Sequence, residues 1–267
     1  MNRKLHIYDS LFGHANSTSL HNKPKNFEWE RSHNPDLIFL SDSHLHLVNQ
    51  ISSKKKIAWL IETPFLCASQ YQFIISNHNK FHKVFTHNKN VLQKIPNGEL
   101  LPIGGCWINN EDQKIYSKNK NVSIIASGKN SFTGHRLRHE IISKVTNIDV
   151  FGFAYNKLDN KIDGLKDYRF SITVENAKED YYFTEKLIDC FVTGTIPIYW
   201  GCPSIGNFFD TNGIITFNTV GELQEILNNL EGVYESKIDS VKTNFNLAMT
   251  YRVGDDLVYE KIKNEII

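Results

Sequence analysis

Short apolar runs alternate with segments of helical period along most of this chain, and few architectures accept that pattern. KLHIYD, DLIFLSD, KIAWLIE, KVFTH and ELLPIG read as strands, with HLHLVNQIS, ASQYQFIISN and NVLQKI as the helices between them. Residues 109–121, NNEDQKIYSKNKN, interrupt the series with the Asn, Lys and Asp typical of a joint. The alternation then restarts. NVSIIAS, IDVFGF, RFSITVEN, IPIYW and GIITF read as strands; HRLRHEIISKV, TEKLIDCFVT, VGELQEILNNL and the C-terminal stretch read as helices. Gly194 falls where a helix C-cap glycine belongs, and Pro197 opens a strand near its edge. Strands and helices in strict turn imply a parallel sheet covered on both faces. The expectation is an α/β protein of two Rossmann-like domains facing across a cleft. Residues 1–118 make the first and 119–267 the second, with terminal helices, and a ligand sits at the carboxyl ends of the strands.

The 267 residues suffice for two such domains, and 40% hydrophobic with 22% charged residues describes a soluble globular chain. A net charge of +1 offers no basic field for nucleic acid or an anionic membrane, so any anion must be caught locally. No apolar run reaches membrane-spanning length, and the opening MNRKLHIYDSLFGHANS has none of signal-peptide length, so no membrane span is expected. Cys67, Cys106, Cys190 and Cys202 are widely spaced, which suits free thiols and a cytoplasmic location. Of the eleven histidines only His44 and His46 lie close together, and no H-E-x-x-H occurs, so no metal site is expected.

The missing G-x-G-x-x-G removes the main support for a nicotinamide or flavin enzyme. SGKNS, residues 127–131, resembles a phosphate loop but lacks its first glycine and its Ser/Thr after Lys. What remains is a polar loop between strand and helix, whose N–H groups can face an anion. Arg136 and Arg138 follow in the first turn expected for the next helix, where a cation opposes the helix dipole unless an anion meets it. Either arginine taken alone also suits an exposed surface. Lys186 beside Glu185 repeats the arrangement at another strand-to-helix turn, and two such turns make a diphosphate cradle. In the first half, KIAWLIETP ends an apolar strand with Glu62, a position for a general base or for a solvated loop acid.

With those residues in place, ENAKEDYYFTEKLIDCFVTGTIPIYWG, residues 175–201, resembles the signature of glycosyltransferase family 10, the α-1,3-fucosyltransferases. WLIETP resembles the family's E-S-P segment, and the Arg138 helix followed by DVFG resembles its donor-phosphate helix. The likeness is to soluble bacterial-type members. It implies a GT-B fold and an inverting transfer of L-fucose from GDP-β-L-fucose to a glycan hydroxyl, in an α-1,3-type linkage. It further implies Glu62 as the base that deprotonates the acceptor, and Arg138 and Lys186 on the donor diphosphate. Asn176, Tyr182 and Glu185 would hold the sugar and ribose. No cofactor is implied beyond the donor substrate, and the absence of any D-x-D goes with metal-free transfer. Ala177 stands where the family usually has Ser or Thr, and the first half is short for the family. Two alternatives stay open: another nucleotide sugar in the same fold, and a non-catalytic sugar-binding protein.

Overall fold

The structure is a computed structural model that describes residues 3–9, 15–20 and 22–265. It divides into two compact units. One comprises Met1–Gly105, Asp180–Tyr182 and Val253–Ile267; the other comprises Cys106–Glu179 and Phe183–Arg252.

In the first unit β1 (Arg3–Tyr8), β2 (Phe27–Glu30), β3 (Leu37–Ser41), β4 (Lys55–Leu60), β5 (Lys83–Thr86) and β6 (Gly98–Leu100) form one sheet. Its order is β2-β1-β3-β4-β5-β6, and every pairing is parallel. All five residues of β3 are buried, as an unbroken LIFLS run in a two-sided parallel sheet must be. Helix α1 (Pro64–Asn77) starts with proline in its first turn, and α2 (Lys89–Lys94) is capped by Asn88, whose side chain accepts from the Val91 N–H. The segment expected as helix HLHLVNQIS is instead a 3-10 helix, Asp42–Asn49. Its buried residues Asp42, Leu45 and Val48 recur every third position, the period of that helix and not of the α form.

The second unit holds β7 (Lys120–Ile125), β8 (Asp149–Phe151), β9 (Tyr168–Val174), β10 (Ile196–Trp200) and β11 (Ile215–Thr216). These run parallel in the order β11-β10-β9-β7-β8. Around them lie α3 (Thr133–Lys144), α4 (Glu185–Val192), α5 (Val220–Leu227), α6 (Val233–Ser236) and α7 (Ile238–Tyr251). One core gathers Ile124, Ile141, Phe170, Ile198 and Leu223; another gathers Phe183, Leu187, Phe191, Phe209 and Ala248. Gly194 has φ +71 and ends α4 as expected, with its N–H on the Phe191 carbonyl and that of Thr195 on the Cys190 carbonyl. Pro197 lies in β10, inside the sheet and not at its edge. It is tolerated there because β11 pairs only from Ile198 onward.

The unit boundary departs from the expected joint. The chain passes between units at Gly105–Cys106, ahead of the polar stretch, and the last helix, α8 (Gly254–Ile262), belongs to the first unit. The cause is Asp255, whose buried carboxylate accepts from the Thr18 N–H at 3.1 Å, the Thr18 hydroxyl at 2.6 Å and Trp29 Nε1 at 2.6 Å. A buried carboxylate with three donors fixes the helix that carries it. Polarity alone could not reveal that pairing across the sequence.

Candidate active site

In the second sheet β7 has β8 on one side and β9 on the other, so the chain reverses its direction of travel at β7. In doubly wound sheets the crevice at the carboxyl ends beside such a reversal receives the ligand. A cavity of about 330 Å³ occupies that place. Ala126 and Ser127 after β7 and Thr173, Val174 and Asn176 at the end of β9 line its base; α3 contributes His135 and Arg138, and α4 contributes Glu185 and Lys186.

Glu175 sets the start of α4. It is fully buried at the end of β9 and accepts from the Thr184 N–H at 2.9 Å and the Thr184 hydroxyl at 2.7 Å. Thr184 is the N-cap residue of α4, so the strand end and the helix start are tied together. Lys186 then reaches three oxygens: Thr184 Oγ1 at 3.0 Å, Glu185 Oε1 at 3.1 Å and Glu175 Oε2 at 3.5 Å. Burial works to raise the Glu185 carboxyl, but the Lys186 and Lys161 ammoniums overcome it and hold it at about 2. Glu185 is thus ionised at neutral pH, an acceptor for hydroxyl or amide donors.

Helix α3 starts at Thr133, so Arg138 lies in its second turn and not its first. Its guanidinium is buried and donates through Nε (3.0 Å) and Nη2 (2.5 Å) to the Val174 carbonyl, and through Nη2 to Asn176 Oδ1 at 3.0 Å. Arg138 and Asn176 are therefore one hydrogen-bonded pair at the cavity base. Arg136 points elsewhere: it is exposed and donates to the Ser131 carbonyl and Thr133 Oγ1. His135 accepts at Nδ1 from the Phe132 N–H at 3.4 Å, replacing the usual capping-box carboxylate. Burial, then Arg138 and Lys129, press its pKa down to about 4, so it adds no charge to the site at neutral pH.

Four of the six expected site residues, Arg138, Asn176, Glu185 and Lys186, share this cavity. Two lie outside its lining, both in the first unit. The Tyr182 ring is buried, with its centroid 5.1 Å from that of His87. Glu62 follows β4, half-buried, and its carbonyl accepts from the Tyr71 hydroxyl at 2.6 Å. Beside it Asp42 is buried at φ +34, and its carboxylate accepts from the Ile61 N–H at 3.1 Å. Burial first, with the Glu62 charge adding to it, pushes the Asp42 carboxyl up to about 8. The end of β4 therefore carries a pair of carboxyl groups of which the buried one stays protonated at neutral pH.

The sequence reading passed over Lys161 and Asp189. Lys161 lines the cavity from the 3-10 turn Lys161–Gly164, with Nζ 2.5 Å from Asp189 Oδ2. The sequence signal is faint: Glu185 and Asp189 stand at i, i+4 on a short helix, where like charges disfavour each other by only a few tenths of a kcal/mol.

The reversal crevice of this doubly wound unit thus gathers Arg138, Lys129, Lys161 and Lys186 with the ionised Glu185. Residues 115–265 match the family model of glycosyltransferase family 10 (fucosyltransferase), C-terminal part, and the chain belongs to that family. It is 32% identical over 84 residues to the α-(1,3)-fucosyltransferase FucT of Helicobacter pylori, covering 32% of this chain and 17% of that protein. With the α-(1,3)-fucosyltransferase B of Drosophila melanogaster it shares 25% over 193 residues, 63% of this chain and 43% of that one. The chain thus spans less than half the length of either relative. A solved α1,3-fucosyltransferase has the same fold, with TM-score 0.60 and 17% identity over 94% of this chain and 89% of that one. The structure of an α1,3-fucosyltransferase with GDP-fucose superposes with TM-score 0.58 at 18% identity, over 89% and 81% of the two chains. Anabaena HepE in complex with UDP-glucose superposes with TM-score 0.62 at 10% identity, over 86% and 78%. Among the described residues no helix is long and apolar enough to cross a membrane.

Proposed function

We propose that this chain transfers L-fucose from GDP-β-L-fucose to a hydroxyl of a glycan acceptor, inverting the anomeric centre to give an α-1,3-type linkage. The observation that carries the reading is the convergence of Arg138, Asn176, Glu185 and Lys186 on one cavity at the sheet's reversal point. Family membership and the solved relative with GDP-fucose support it.

In this reading Arg138 and Lys186 meet the diphosphate. As the bond from anomeric carbon to phosphate oxygen breaks, negative charge grows on the departing GDP. Cations already fixed by Val174, Asn176, Glu175 and Thr184 stabilise that charge without reorganising. Ionised Glu185 and the Asn176 amide accept or donate hydrogen bonds at the ribose and fucose. Glu62 takes the proton of the acceptor hydroxyl, whose oxygen forms the new bond from the opposite face of the sugar. The fixed cations do the work of charge stabilisation in this scheme, and no metal or other cofactor enters it.

The test is a donor panel. The protein is incubated with GDP-fucose, GDP-mannose, UDP-glucose and UDP-N-acetylglucosamine, with and without β-galactosyl and N-acetylglucosamine acceptors, and released nucleotide and product are measured. Acceptor-dependent release of GDP from GDP-fucose is expected. Turnover confined to a UDP-sugar would assign the cavity to another nucleotide sugar, and no turnover with any pair would favour a binding role.

A further inference from the structure

Phe153 lines the cavity and is 85% exposed, more than any other large apolar side chain among the described residues. A single exposed apolar residue is ordinary, but this one is held in place. The chain after β8 turns sharply at Gly152, where φ is +134 and a Cβ would stand 1.7 Å from the Ala126 carbonyl oxygen. The Gly152 N–H donates to the Asn156 carbonyl at 3.0 Å, and the Tyr155 N–H donates to the Gly152 carbonyl at 2.9 Å. Phe153 and Ala154 are thus the tip of a closed turn. Two side chains fix its return arm. Asn156 Nδ2 donates to the Val150 carbonyl at 2.8 Å. His139 on α3 donates through Nε2 to the Lys129 carbonyl at 2.9 Å, and in its neutral form leaves Nδ1 to accept from the Tyr155 hydroxyl at 2.5 Å. The turn is fastened to β8, to α3 and to the loop after β7, and the ring it carries borders the cavity.

The walls of the cavity differ in what they can bind. Arg138 and Lys186 offer charge and N–H donors, whereas a phenyl ring offers a flat apolar face and no hydrogen bond. Phosphate oxygens and sugar hydroxyls gain nothing from such a face, but the flat ring of a nucleobase does. Trp107, which also lines the cavity, is 41% exposed but already engaged, with Lys161 Nζ 4.8 Å from its ring centroid. We infer that Phe153 is the stacking platform for the base of the nucleotide, holding it against one wall of the cavity while the cations hold the diphosphate. The inference rests on the donor-site reading for the ligand being a nucleotide, and on the braced, exposed ring for the rest. A stack makes little distinction among bases, because every base has a π-face. Phe153 therefore supplies affinity and placement, and the choice of base falls to groups that hydrogen-bond its edge.

The test measures calorimetric binding of GDP, of UDP and of inorganic pyrophosphate, a probe without a base, to the wild type, Phe153→Ala, Phe153→Leu and Phe153→Trp. Phe153→Ala is expected to weaken GDP by about 5- to 150-fold, the contribution of one base–aromatic stack, and to leave pyrophosphate unchanged. Phe153→Leu, apolar but without a π-face, is expected to lose most of the same affinity, and Phe153→Trp to keep it. Melting temperatures are expected to match the wild type, because so exposed a ring carries little of the fold. In the NMR spectrum of the GDP complex, the guanine H8 proton is expected to show nuclear Overhauser contacts to phenyl ring protons that are missing in Phe153→Leu. Where pyrophosphate binds too weakly to compare, those H8 contacts decide. Wild-type GDP affinity in Phe153→Ala, an equal loss for pyrophosphate, or H8 contacts that survive in Phe153→Leu would overturn the platform. Binding of UDP in place of GDP, itself weakened in Phe153→Ala, would overturn the guanosine donor and keep the stack. A wild type that binds neither nucleotide would overturn both.

Discussion

Glu62→Gln is expected to lower fucose transfer by about 10²–10⁴-fold, the usual contribution of a general base, while GDP affinity stays at the wild-type value. The amide keeps the size and shape of the carboxyl group but cannot take a proton from the acceptor. Glu62 belongs to the first unit and is not among the residues that line the cation-bearing cavity, so the donor contacts are untouched. Its main chain is held by the Tyr71 hydroxyl, and its neighbour Asp42 is locked to the Ile61 N–H, so the substitution leaves the end of β4 in place. A solvated loop acid changed to its amide would instead cost neither rate nor more than about 0.5 kcal/mol of stability. Transfer rate, GDP affinity and melting temperature measured on this one variant separate the two. Near-normal turnover would remove Glu62 from the mechanism.

The second large effect is expected at Gly134, in the first turn of α3. Its N–H donates to the Asn176 carbonyl at 3.1 Å, and a Cβ there would stand 1.7 Å from the Glu175 carbonyl oxygen and 2.8 Å from its carbon. The obstacle is backbone at the end of β9, in the two residues that hold Thr184 and Arg138. Neither can yield without moving the cavity base. Gly134→Ala is therefore expected to destabilise the second unit by about 3 kcal/mol, the upper part of the usual range for overpacking, and to weaken GDP binding at the same time. The sign decides the matter. For a helical glycine with room around it, alanine stabilises by roughly 0.4–1 kcal/mol. A raised melting temperature with intact GDP binding would show that α3 does not need this close approach.

The strands with strong apolar runs were legible in the sequence because a residue buried on both faces of a parallel sheet has to be apolar. β2 was not. It is four residues long, FEWE, with Glu28 and Glu30 alternating with Phe27 and Trp29 at the edge of the sheet beside β1. So short an alternation cannot be told from a loop. The placement of α8 was illegible for a related reason, since its membership in the first unit depends on Asp255 meeting Thr18 and Trp29 from the far end of the chain. In the site, Arg138 is preferred to Arg136 only through the family resemblance, which sets Ile141, Ile142 and Val145 at the family's apolar positions, and the structure buries the first arginine and exposes the second. Tyr182 looked like its neighbours in the signature, but a positive φ at Tyr181 intervenes, and the Tyr182 ring is buried beside His87. Lys161 escaped because a lysine between Asn160 and Ile162 in a polar loop has no period to betray it. Its ion pair with the buried Asp189 comes from a residue 28 positions further along the chain and is visible only in the fold.

The most direct measurement is the calorimetric titration of GDP, and of UDP for comparison, into the wild type and Lys186→Ala. If the cavity at the end of β9 receives the diphosphate of a guanosine-linked sugar, GDP binds the wild type and UDP binds it far more weakly. Lys186→Ala then loses roughly 1.5–3 kcal/mol of GDP affinity, the range for hydrogen bonds to charged groups. Equal binding of GDP and UDP, or wild-type GDP affinity in Lys186→Ala, would contradict it.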